Sequence, residues 1–168
     1  MKKWLMMVLC VLTLAGCAQP QDLETVNDTY VIPEIPEAQQ VDFWLPEGAA
    51  LSVSEGTGEL YLCDDFTALV QVFSSGDLDA TLRSVTGYGK EKLELLGWKT
   101  AQGQRWECAW VSVGEAGDQI ARTLIVDDGN YHYVLTLQAE AEKGGELSAA
   151  WSEIFKTFEL GREEITKG

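Results

Sequence analysis

The chain has 168 residues, with 27 Asp and Glu against 12 Lys and Arg, a formal net charge of −15, one His and four Cys. That length suits one ordinary domain with appendages, and a 46% hydrophobic content with six Trp, five Tyr and five Phe excludes a disordered chain. The acidic balance argues against nucleic-acid binding, which needs clustered Lys and Arg; a single His excludes multi-His metal sites, and the sequence points to no cofactor and no metal.

The N-terminus reads as an export signal. Lys2 and Lys3 precede an uncharged apolar run from Trp4 to Leu14, shorter than the roughly 20 residues a membrane-spanning helix needs. The run ends in Leu14-Ala15-Gly16-Cys17, which resembles the lipobox of bacterial lipoproteins. The resemblance implies cleavage after Gly16, removal of residues 1–16 together with Cys10, and a diacylglyceryl thioether on Cys17. Two acyl chains hold a protein stably where one holds it marginally. The expected location is the extracytoplasmic face of the cell membrane. Ala18 stands where enteric lipoproteins kept at the inner membrane carry Asp, so an outer membrane is open to it if the cell has one. A domain this acidic is pushed away from anionic headgroups, which leaves the lipid to do the holding.

Residues 17–40 read as the lipidated cysteine and a tether. Pro20, Pro33 and Pro36 stiffen it, and Asp22, Glu24, Asp28, Glu34 and Glu37 extend it with no basic residue among them. At ~3 Å per residue it would reach up to about 70 Å from the bilayer. Tyr30-Val31-Ile32 could alternatively add an edge strand, but a linker is the favoured reading.

Residues 41–160 carry the domain, and 161–168 form a polar tail. Strands are predicted at 41–45, 51–54, 59–63 and 66–74, each bounded by Pro, Gly or Asp turn residues. Leu78, Leu82 and Val85 then recur at helical spacing, with Ser75 or Asp77 to cap the start and Gly87 to end it. Hairpins follow, 93–100 with 104–113 and 118–126 with 130–140, before a helix over 146–160 with Leu147, Trp151, Ile154, Phe155 and Phe158 on one side.

The central strands are apolar on both faces. Trp106, Cys108 and Trp110 point one way and Ala109 and Val111 the other; Tyr133, Leu135 and Leu137 oppose Val134. Both faces therefore need a cover, and the two amphipathic helices supply one each. The expected class is α+β: an antiparallel sheet of six to seven strands with helices covering both faces. Phe43-Trp44-Leu45-Pro46-Glu47-Gly48, the hairpin Asp127-Asp128-Gly129-Asn130-Tyr131-His132-Tyr133 and the closing run from Trp151 to Phe158 are similar to the Mog1/PsbP-like family. The resemblance spans 43–160 and implies a binding or assembly module that contributes no catalytic residues.

Four constellations compete with simpler explanations. Cys63 and Cys108 could form a disulfide worth ~4 kcal/mol, or remain two buried thiols. His132 could serve a hydrolase with an acid from Asp127-Asp128, or pack across strands between two tyrosines. Asp64-Asp65 and Asp127-Asp128 could ligate Ca²⁺, though both suit turns. Tyr88, Trp98 and His132 are the candidates for a ligand or partner patch. The function expected is a membrane-anchored, non-catalytic module that binds a protein partner or small ligand.

Overall fold

The computed structural model describes residues 34–56, 58–74, 76–113 and 117–161. The leader, Cys17, the tether through Tyr30-Val31-Ile32 and the tail from residue 162 lie outside the described residues. Strands β1 (Val41–Asp42), β2 (Ala50–Glu55), β3 (Gly58–Leu62) and β4 (Thr67–Ser74) lead into helix α1 (Leu78–Thr86). A 3₁₀ turn (Lys90–Lys92) precedes β5 (Leu96–Thr100), β6 (Gly103–Ser112), β7 (Gln119–Asp127) and β8 (Tyr131–Glu140). A second such turn (Ala141–Lys143), α2 (Gly144–Thr157) and β9 (Glu159–Leu160) complete the order. Seven strands form one antiparallel sheet, β2-β3-β4-β8-β7-β6-β5, and β1 pairs separately with β9. The class is the expected α+β, with one helix on each face.

The period-2 pattern of the central strands divides the core in two. Val70, Leu124, Val126, Tyr133, Leu135 and Leu137 lie under α2 and meet its Trp151, Ile154 and Phe155. Ile125, Val134 and Cys108 lie under α1 and meet its Leu82, with Trp106 and Trp110 partly buried beside them. On this second face Trp110 Nε1 donates to Thr123 Oγ1 at 3.0 Å, and Thr123 shares a 3.1 Å hydrogen bond with Thr136. The buried hydroxyls are thus satisfied without water.

Helix α1 has the ends its sequence announces. Asp77 is extended and its carboxylate accepts the amides of Asp79 and Ala80; Gly87 closes the helix at φ 77°, a left-handed conformation that costs glycine little. Asp77→Ala should lower stability by about 1 kcal/mol, read as a shift in denaturant midpoint with unchanged slope.

The last helix is shorter than its pattern suggests. It stops at Thr157; Phe158 turns extended (φ −71°, ψ 108°), and Leu160 pairs with Val41 in β1 rather than continuing the helix. The first strand shrinks in step, since only Val41 and Asp42 find a partner. Phe43 instead packs its ring against Tyr61 and Phe158, at 5.6 and 5.9 Å between centroids. The Trp44 amide donates to Thr157 Oγ1 at 3.0 Å.

The disulfide does not form. Cys63 and Cys108 are both free, Cys63 packed against the α2-side core and Cys108 within the α1-side core, so the sheet stands between them. Burial pushes the Cys108 thiol up to about 11, helped by Glu107, and raises that of Cys63, helped by Asp64. Neither thiol is poised to react at neutral pH.

Candidate functional site

A hollow of about 620 Å³ opens on the α2 side of β3 and β4 and takes no residue from α2. Val70 and Val72 line it from β4, and Glu59 and Tyr61 line it from β3. The incoming segment 38–41 forms one wall, and Tyr131 stands at the end of β8. Glu59 and Tyr61 face the same way because they are two residues apart on a strand. The Tyr61 hydroxyl donates to Glu59 Oε2 at 2.7 Å. That bond, with burial and the carboxylate's charge, pushes the Tyr61 phenol up to about 12, so it remains a proton donor at any physiological pH. Volume, an apolar floor and a few converging polar groups are the usual make-up of a small-molecule site.

The wall at 38–41 is held by the β7–β8 hairpin. Asp128 Oδ1 accepts the amides of Asn130 and Tyr131 at 2.8 Å each. Its Oδ2 accepts the Tyr133 hydroxyl at 2.9 Å and Gln39 Nε2 at 3.2 Å. The same Tyr133 oxygen accepts the Gln39 amide at 2.9 Å, and the Gly161 amide donates to the Gln40 carbonyl. Burial works to raise the Asp128 carboxyl, but the hydrogen bonds from Asn130, Tyr131, Tyr133 and Gln39 outweigh it and hold the group below its ordinary value. Tyr133 is pushed up to about 12, first by burial and then by Asp128, against the opposing bond from Gln39. Ordered packing therefore starts at Gln39, two residues before the expected boundary.

The residues singled out in the sequence do not come together. His132 is 1% exposed and lies on the α1 side, edge-on to Trp106. Its Nδ1 shares a 2.7 Å hydrogen bond with Thr81 Oγ1, and its Nε2 lies 3.6 Å from Asp127 Oδ2. Hydroxyl, imidazole and carboxylate stand in the series a hydrolase would need, but Thr81 and His132 are both buried where no substrate reaches them. Their arrangement pins α1 to β8. Tyr88 follows α1 and donates its hydroxyl to the Val111 carbonyl at 2.9 Å. Trp98, 40% exposed, pairs with Arg105 on the α2 side of β5. The three thus form no common patch.

Trp98, Arg105 and Glu107 line a hollow of about 330 Å³ together with Ser152, Phe155 and Lys156 of α2, and Leu96 and Val111 are exposed. Beside them Arg122 pairs with Glu107, bonds Ser152 at 3.0 Å and lies 5.2 Å over the Phe155 ring, while Arg105 donates to the Phe158 carbonyl. Arg122 is thus paired, whereas the buried Arg105 Nε has no hydrogen-bond partner among the described residues.

The acidic turns perform turn chemistry at opposite ends of the sheet. Asp127 accepts the Gly129 amide at 2.8 Å, and Asp65 pairs with Lys143 at 2.8 Å. No group of three His, Cys, Asp or Glu side chains is placed to hold a metal ion among the described residues.

The sequence singled out neither Glu59, Tyr61 nor Gln39. One signal was available: Glu59-Leu60-Tyr61 puts an acid and a tyrosine on one face of a strand, where an apolar pair would serve a core.

No family model matches the chain, and no curated protein sequence matches it. Solved structures do. The Ran-binding protein Mog1p of Saccharomyces cerevisiae superposes with a TM-score of 0.51 at 11% identity, over 71% of this chain and 89% of that one. LpqN, involved in cell envelope biogenesis of Mycobacterium tuberculosis, gives 0.50 at 13% identity over 76% and 86%. The cyanobacterial PsbP (CyanoP) of Synechocystis sp. PCC 6803 gives 0.50 at 10% over 72% and 86%. The domain has the Mog1/PsbP-like fold. At these identities the likeness is one of architecture.

Proposed function

We propose that the chain is a lipid-anchored extracytoplasmic binding module without catalytic activity. Cys17 carries the lipid, the residues that follow it up to the packed segment at Gln39 stand the domain off the membrane, and the Mog1/PsbP-like domain offers the cleft of Glu59, Tyr61 and Tyr131 to a ligand. The observation that carries the binding half is that cleft, where Glu59 and Tyr61 stand beside Val70 and Val72, which opens beside the segment through which the chain enters the domain. The anchor is supported by Lys2-Lys3, the short apolar run and Leu14-Ala15-Gly16-Cys17. Two fold neighbours, a Ran-binding protein and one involved in cell envelope biogenesis, agree with a binding or assembly role. The sealed position of His132 weighs against the hydrolase alternative.

Fractionation of cells expressing the wild type and Cys17→Ser tests the anchor. The wild type should sediment with membranes and resist salt extraction, and the variant should be released to the soluble fraction. Unchanged membrane association of Cys17→Ser would overturn the lipid reading.

A further inference from the structure

The cleft's chemistry selects among ligands. Its one charged lining group with a described side chain is Glu59, whose carboxylate has the Tyr61 hydroxyl as its only partner among the described residues. Among the described residues no Lys or Arg lines the cleft. Tyr61, bonded to this carboxylate, lines the cleft together with Tyr131 and Phe73, and Val41, Val70 and Val72 supply its aliphatic part. A carboxylate in a partly desolvated hollow attracts a cation more strongly than one in open water. Tyrosine faces add a further attraction for ammonium groups. The chain's net charge of −15 steers cations toward the domain and anions away. The hollow holds a drug-sized molecule rather than a bare ion.

We propose that the cleft binds a small organic cation with an apolar body, the ammonium group on Glu59 and the body over Val70 and Val72 between the tyrosines. This rests on the cleft being the domain's binding site, as set out above. A peptide amine or an inorganic cation would satisfy only part of the lining.

The test is calorimetric titration of the full chain in non-ionic detergent with three probes of one shape. Phenethylamine is the cation, phenethyl alcohol the neutral analogue and 3-phenylpropionate the anion. Phenethylamine should bind at least tenfold more tightly than the alcohol, and 3-phenylpropionate should bind more weakly than both. Glu59→Gln should reduce the phenethylamine affinity at least tenfold, about 1.4 kcal/mol, and leave the alcohol unchanged. Tyr61→Phe, which keeps the ring and removes the hydroxyl, gives a second variant should Glu59→Gln fail to fold; it should retain a preference for the amine. Equal affinity for amine and alcohol, or no effect of Glu59→Gln, overturns the cation assignment and leaves the cleft as a binding site. Heat from none of the three probes overturns the cleft itself.

Discussion

Trp151→Ala should lower the stability of the domain by roughly 3–5 kcal/mol and its melting temperature by roughly 10–20 °C. Trp151 is 1% exposed, lies one turn before Ile154 and Phe155 on α2, and sets its ring against Phe66 at 6.2 Å. Its removal leaves a hollow between α2 and the central strands that neighbours held by strand pairing are poorly placed to fill. The indole N–H has no hydrogen-bond partner among the described residues, so Trp151→Phe, which drops that donor and keeps a ring, should cost far less. Denaturant midpoints of the three proteins check this. A loss below about 1 kcal/mol for the alanine variant would mean that α2 is not the main cover of its face.

Asp128→Ala is the second large effect, expected at about 2–3 kcal/mol, because it strips charge-assisted acceptors from two hairpin amides, Tyr133 and Gln39 at once. The consequence reaches the cleft. Gln39 loses its side-chain tie, so the wall at 38–41 loosens and phenethylamine affinity should fall together with stability. The acid dependence follows from the depressed carboxyl. A group held below its unfolded value contributes stability that is present above that value, near pH 4, and is lost as pH falls through its folded value. The wild type should therefore lose more stability than Asp128→Asn between pH 4 and pH 2. Parallel losses in the two proteins would show that Asp128 does not carry this dependence.

Much of the fold was legible because it is written in local periods. Two-sided apolar strands such as Tyr131–Glu140 demanded covers on both faces, and Leu78, Leu82 and Val85 marked the helix that supplies one. Asp77 and Gly87 marked its ends through chemistry confined to a few residues. What escaped depends on partners far along the chain. Phe158 and Leu160 continue the apolar pattern of α2, and only the pairing of Leu160 with Val41 draws them into an extended strand. The cysteine bridge was undecidable locally, since which face of the sheet each thiol occupies follows from register. The cleft was the least visible feature of all. Gln39, Glu59, Val72 and Tyr131 are unremarkable singly and meet only through the pairing of β3 with β4 and β4 with β8 and the bonds of Gln39 to Asp128 and Tyr133. The sequence favoured Tyr88, Trp98 and His132 because aromatic and imidazole side chains stand out as residue types. Their positions, on opposite sides of the sheet or beneath α1, separate them.

Amide chemical-shift mapping of the full chain during a phenethylamine titration decides between the cleft and the exposed residues of β5 and β6. Shifts confined to Glu59, Tyr61, Val72, Tyr131 and the Gln39–Gln40 wall are the expected result. Shifts centred on Leu96, Trp98 and Val111, with the β3–β4 residues unmoved, would contradict it.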